Sequence, residues 1–104
     1  VVSVAALDRE GRRADFSGSN ADVEIAAPGV EILSLAPGNR YRSMSGTSMA
    51  APHVAGAAAL LWQAHPAAVA SAIRRLLDRT VRDAGRRGRD DDYGFGSLDL
   101  AAAT

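Results

Sequence analysis

From Met49 to His65 the chain runs through alanine, leucine, valine and Trp62 with almost no charge. A helix that is apolar on every side has to be surrounded by other elements. This one segment therefore predicts a central buried helix, for which the rest of the chain must supply neighbours. Gly56 and the alanines around it let that helix pack closely against other backbone. His65-Pro66 ends it, because a residue before proline is pushed out of helical geometry.

The neighbours can be read in order. Val1 to Leu7 is a Val-rich apolar run, compatible with a strand buried on both faces. Asp8 to Arg12 is a polar turn, and Arg13 to Ser17, with Phe16 as anchor, pairs back as a short strand. Gly18-Ser19-Asn20 breaks the chain. Val23, Ile25 and Ala27 then alternate with Asp22, Glu24 and Ala26, the period of a half-buried strand. Pro28-Gly29 turns, Val30 to Leu35 is a further strand, Pro37-Gly38-Asn39 turns again, and Arg40 to Ser45 is extended. After the central helix, Val69 to Val81 predicts an amphipathic helix. Its apolar face is Ala72, Ile73, Leu76, Leu77 and Thr80, and its wet face is Arg74, Arg75, Asp78 and Arg79. Arg82 to Asp92 is a charged loop, Tyr93 to Gly96 a tight turn, and Leu98 to Ala103 a last short helix.

Composition removes several functions. The 104 residues hold 12 basic and 12 acidic side chains, a formal net charge of +0, without the basic excess of a nucleic-acid binder. With no cysteine there is no disulfide, thiol nucleophile or thiolate metal site. No apolar run approaches the roughly 20 residues that span a bilayer. No His/Asp/Glu cluster has a convincing zinc spacing.

Chemistry concentrates in Ser45-Gly46-Thr47-Ser48-Met49-Ala50-Ala51-Pro52-His53-Val54-Ala55-Gly56. A small Gly46 precedes a hydroxyl residue where extended chain becomes helix. Ser48 suits the N-cap, its oxygen accepting from first-turn amides. The same helix start carries unpaired N–H groups and a partial positive charge, a favourable place for a developing oxyanion. Cap and nucleophile are both open on this pattern alone. With Ser48 as cap, Pro52 removes the first ladder donor, so an irregular first turn is expected.

The run Gly46 to Gly56 resembles the nucleophile-serine signature of the subtilisin-like serine proteases. Val1 to Asp8, Phe16-Ser17, Ala27-Pro28-Gly29-Val30, Pro37-Gly38-Asn39 and Tyr93-Gly94-Phe95-Gly96 are similar to the same family in the same order. The second helix lacks the usual polar start after His-Pro. The resemblance implies residues 1–104 as the C-terminal portion of a subtilisin-like catalytic domain. The implied class is α/β: part of a parallel sheet, a hairpin, and a long buried helix after the serine. It implies a serine endopeptidase working through an acyl-enzyme on Ser48, whose backbone N–H faces the oxyanion, with Thr47 supporting the oxyanion hole. A serine hydroxyl needs a His base and a carboxylate to orient it. The family carries these in the order Asp, His, Ser, so both partners, and a side-chain amide of the oxyanion hole, are expected upstream of Val1. The isolated chain is accordingly expected to be inactive. Implied partners are polypeptide substrates and the upstream part of the same protease, not nucleic acid or membrane. The implied location is extracellular or cell envelope. The chemistry requires no cofactor.

Other residues are weighed against that reading. His53, five residues after Ser48, projects about 140° away around a helix and is expected to be structural. His65 at the helix end is expected to be structural too. Asp8, Asp15, Asp22 and Glu24 sit beside no candidate histidine. Asp22 and Glu24 fall where some family members bind a weak cation, but two carboxylates are few for calcium, and solvated turn charges are expected. Asp90-Asp91-Asp92, after Arg86, Arg87 and Arg89, is expected as a solvated mixed-charge loop. Met49 is expected next to the site without a chemical step. The strand at Val1 to Leu7 and the apolar helix, if left uncovered, predict self-association of the isolated chain. The rival reading is a non-catalytic interaction module in which Ser48 is only a helix cap. An esterase of the G-x-S-x-G type does not fit Gly46-Thr47-Ser48-Met49-Ala50.

Overall fold

The computed structural model describes residues 1–103. Strand β1 (Ser3–Leu7) lies parallel to β2 (Val23–Pro28), and both are largely buried, as a parallel pair covered on its faces should be. The alternation at residues 22–27 does not survive into the fold as one wet and one dry face. Ser3 pairs with Val23 but Val4 pairs with Ile25, so one step on β1 spans two on β2. This bulge at Glu24 re-phases the strand. Ile25 and Ala27 pack with Ala6 beneath the helices, while Val23 joins Ala26, Ala5 and Leu7 on the other side, under Tyr93.

The expected short strand at Arg13 to Ser17 does not form. A single bridge joins Leu7 and Arg13, and the chain then turns, Ser17 N–H donating to the Ala14 carbonyl at 2.9 Å. The buried Ser17 hydroxyl accepts from the Ala6 N–H at 3.0 Å, taking the ladder position that a strand would have used. Phe16, the expected anchor, is exposed.

Strands β3 (Ile32–Ala36) and β4 (Arg40–Met44) form the hairpin, antiparallel, closed by Pro37-Gly38-Asn39. Gly38 and Asn39 both have positive φ, 77° and 56°, which glycine and asparagine tolerate best. Helix α1 (Thr47–Ala64) crosses the β1–β2 pair, and α2 (Ala70–Arg79) packs beside it. A short α3 (Leu100–Ala103) closes the described chain. The sequence pattern predicts an α1 buried all round, yet it buries one stripe, Ala50, Val54, Ala57 and Leu61, against Ala6, Ile25, Ala27, Ile73 and Leu77. Leu60 and Trp62 remain exposed, and an open apolar groove of about 530 Å³ runs between Val2, Val4, Ala51, Ala55 and Trp62. The described elements cover only one side of this helix.

On its edge away from β1, β2 is bonded by the segment after the tight turn. Phe95 N–H donates to the Glu24 carbonyl (2.8 Å), Ala26 N–H to the Gly96 carbonyl (2.9 Å) and Leu98 N–H to the Ala26 carbonyl (2.7 Å). The loop at 82–92 is not simply solvated, as its charge pattern suggested. Asp92 meets Arg13 at 3.2 Å and the Ser19 hydroxyl at 2.6 Å. Arg89 pairs with Asp91 at 2.8 Å and donates to the Ala21 and Val23 carbonyls. The charges tie this loop to the β1–β2 connection.

The wet face of α2 forms as expected at Arg74, Arg75 and Arg79, all exposed, while Asp78 is partly buried beside Glu24. Glu24 is buried, and the Arg74 Nε donates to both its oxygens at 3.0 and 2.9 Å, with Nη2 bonding Oε1 as well. The Arg74 hydrogen bonds hold the Glu24 carboxyl below its usual range, against the effect of burial. Asp78, one turn along α2, has a buried Oδ1 with no partner. Burial first, then the adjacent Glu24, push its carboxyl up to about 7. Asp78 therefore holds its proton in the folded state at pH values where the unfolded chain has lost it. Its contribution to stability falls as pH rises from about 4 to about 7 and stays reduced above. Glu24 works in the opposite sense, stabilising above its ordinary range and losing that contribution as pH falls through its lowered value. Asp78→Asn is expected to raise unfolding free energy at pH 8 by about 1–3 kcal/mol, after discounting for partial exposure. It also removes the downward slope across that interval. Urea unfolding at a mildly acidic and a mildly basic pH reads this, and an unchanged slope in the variant would rule it out.

Candidate functional site

Two strand ends set the start of α1. The loop leaving β2 donates the Glu31 N–H to the Ser45 hydroxyl at 2.8 Å, and the Gly29 carbonyl accepts the Gly46 N–H at 2.8 Å. Gly29 N–H in turn donates to the Leu7 carbonyl at the end of β1 (3.0 Å). This three-way approach leaves no room at Gly29. A Cβ there would lie 2.6 Å from the Ala6 Cβ, 2.8 Å from the Gly46 carbonyl oxygen and 3.2 Å from the Ala50 Cβ. Pro28-Gly29, which the residue pattern marks as a turn, is the contact that seats the start of α1 on the sheet.

Gly46 is the N-cap of α1, with no side-chain cap, so Thr47 and Ser48 are its first two residues. This corrects the capping expectation. The backbone enters helical geometry two residues earlier than a Ser48 cap requires, and the Ser48 hydroxyl caps no amide. The Thr47 and Ser48 N–H groups are left without intrahelical acceptors. Met49 N–H bonds the Gly46 carbonyl at 3.0 Å, a tightened first turn. Pro52 lies inside the helix and has no N–H for the Ser48 carbonyl, yet α1 continues unbroken to Ala64. Tightening of the first turn is all that remains of the expected irregularity.

Ser48 is exposed and lines an open depression of about 310 Å³ with Ile32, Leu33, Ser34, Met49, Pro52 and His53. The expected neighbour Met49 is there. His53 shares the depression, but its Nδ1 is engaged with the Met49 carbonyl at 2.9 Å, one turn back along its own helix. His65 is the C-cap residue, its N–H bonded to the Leu61 carbonyl at 2.9 Å. Among the described residues no group of three or more His, Cys, Asp and Glu is arranged to hold a metal ion. Asp8 accepts from the Glu10 and Arg12 amides at 2.9 Å in its own turn. Glu24 is taken up by Arg74, so it is not a free partner for Asp22. The described chain thus presents an exposed Ser48 hydroxyl on the same first turn as the Thr47 and Ser48 amides, which have no intrahelical acceptor. Sequence reasoning missed Gly29, because nothing local distinguishes a turn glycine from one wedged under a helix.

Comparison with known proteins adds to this geometry. The Subtilase family profile (Peptidase S8) matches residues 1–96. Subtilisin DY of Bacillus licheniformis is 45% identical over 103 residues, 99% of this chain and 36% of its own length. The thermostable alkaline protease of Halalkalibacterium halodurans is 45% identical over 104 residues, 100% of this chain and 28% of its own. The chain spans about a third, or less, of these relatives. Among solved structures, fervidolysin of Fervidobacterium pennivorans, a keratinolytic enzyme related to subtilisin, superposes with a TM-score of 0.91 at 40% identity, covering 99% of this chain and 18% of that one. MycP1 of Mycobacterium smegmatis superposes with a TM-score of 0.93 at 31% identity, covering 99% and 29%.

Proposed function

Since the chain belongs to the subtilase family, we propose that the full-length protein containing it is a serine endopeptidase acting on polypeptides, with Ser48 as nucleophile. The observation that carries this reading is the exposed Ser48 hydroxyl on the first turn of α1, beside amides that the helix leaves free. Residues 1–104 form the serine-bearing C-terminal portion of the catalytic domain. A histidine from the rest of the protein takes the Ser48 proton as the oxygen attacks the scissile carbonyl. The carbonyl oxygen gains negative charge, which the Ser48 N–H stabilises with support from Thr47. The histidine then gives its proton to the leaving amine, the acyl–Ser48 ester remains, and water hydrolyses it with the same base. None of these steps calls on a metal or cofactor, and no residue of this chain is assigned to calcium. The upstream part of the protease is the required partner, and the setting is extracellular or cell envelope, a reading supported by family membership. In the alternative of a non-catalytic interaction module Ser48 would be only a helix cap, and Gly46 rather than Ser48 holds that cap position.

A fluorophosphonate probe tests the reading directly. Native full-length protein is expected to be labelled at Ser48, and denatured protein and the isolated chain are not. Equal labelling of native and denatured protein would overturn it.

A further inference from the structure

We propose that one face of the β3–β4 hairpin, Leu33, Leu35 and Tyr41, is a docking surface for the part of a polypeptide substrate remote from the scissile bond. The proposal rests on the endopeptidase reading above and extends it to substrate selection. In the hairpin register Leu35 lies opposite Tyr41 and Leu33 opposite Ser43. Residues directly opposite share a face, as do alternate residues along a strand. The three apolar side chains therefore form one contiguous patch, and they are 67%, 81% and 72% exposed. Single exposed apolar residues are ordinary; a contiguous group on one face calls for an occupant.

Continuity identifies the occupant. Leu33 lines the depression that also holds Ser48, so the patch adjoins that depression and leads away from it along the hairpin. Both hairpin ends are bonded where α1 starts, through Gly46 to Gly29 and Glu31 to Ser45. A substrate whose carbonyl reaches Ser48 brings its neighbouring residues alongside. Leu33 and Leu35 are two strand residues apart, roughly 6.6 Å, the same spacing as alternate side chains of an extended peptide. An extended substrate with apolar residues at alternate positions fits this row. The balanced net charge of the chain favours no polyanion as the occupant.

The test uses full-length protein with Leu35→Asp and Tyr41→Asp combined, against the conservative pair Leu35→Met and Tyr41→Phe. Two substrates are compared: a short chromogenic peptide amide, and a long peptide with alternating apolar residues beyond the cleaved bond. The Asp pair is expected to raise KM for the long peptide about tenfold or more, the scale of losing one buried apolar side chain. Long-peptide kcat, the short substrate, the melting temperature and the conservative pair are expected to match wild type. An unchanged long-peptide KM, or parallel losses on both substrates, would overturn the proposal. So would an Asp-pair change confined to sedimentation behaviour, which would mark the face as a contact between copies of the protein. A wild type that cleaves neither substrate overturns the endopeptidase reading itself, an outcome distinct from cleavage of both with no effect of the Asp pair.

Discussion

Ser48→Ala in the full-length protein is expected to reduce kcat for peptide hydrolysis by on the order of 10⁶, the scale known for loss of the nucleophile in subtilisin. The fold should tolerate it. The hydroxyl is exposed, caps no amide and sits on the second residue of α1, where alanine is a good helix former. Unfolding free energy should change by no more than about 0.5 kcal/mol, as for surface substitutions generally. The residual rate separates two roles for the helix start. The Thr47 and Ser48 amides remain in the variant, so some oxyanion stabilisation remains too. Steady-state kinetics with a calorimetric melt reads both quantities. A variant retaining more than about a tenth of wild-type kcat would remove Ser48 from the chemistry, since loss of a nucleophile costs far more than that.

Gly94→Ala is expected to be the most damaging single methyl addition in the chain. Gly94 has φ of 61°, and a Cβ there would stand 2.2 Å from the Glu24 carbonyl carbon and 2.3 Å from its oxygen. Those atoms are backbone of β2 and cannot swing aside. The neighbouring Phe95 N–H bonds that same carbonyl at 2.8 Å, so relief of the clash breaks the seam holding residues 95–98 to β2. Left-handed backbone costs a non-glycine residue about 1–3 kcal/mol, and the overlap adds about 1–3 more. A loss of about 3 kcal/mol or more in denaturant unfolding is expected from those two costs together. Gly88→Ala is the matched control, since Gly88 has φ of 81° but open space around its Cβ position, leaving the backbone cost alone. Equal losses at the two positions would mean that the β2 contact contributes nothing.

Local patterns carried much of the architecture. The apolar run from Met49 located α1, Pro37-Gly38-Asn39 located the hairpin turn, and Val1 to Leu7 located a buried parallel strand. The family, too, was legible in Gly46 to Gly56. What stayed hidden was long-range. The bulge at Glu24 depends on how β2 meets β1, and period-2 alternation is blind to a one-residue slip in pairing. The fate of Glu24 and Asp78 turned on α2 lying close to that bulge, where Arg74 bonds a buried strand carboxylate and Asp78, which helix periodicity assigns to solvent, is partly buried. Ser48 looked like a cap because its residue type fits one. The position was taken instead by Gly46, whose N–H is held by the Gly29 carbonyl, a contact between distant parts of the chain that no local pattern encodes. Phe16, expected as an anchor, stays exposed, and its neighbour Ser17 is the buried residue, its hydroxyl accepting from the Ala6 N–H.

The pinning of Glu31 to Ser45 and of Gly46 to Gly29 makes the hairpin between them a closed excursion. Its two feet meet at a fixed base, and Ser48 is attached to that base rather than to the arms. Lengthening such an excursion costs free energy only with the logarithm of its length. The arms can therefore be exchanged or extended while the Ser48 hydroxyl keeps its place, so that, on the proposed reading, selectivity can diverge at the hairpin without retuning the chemistry beside it.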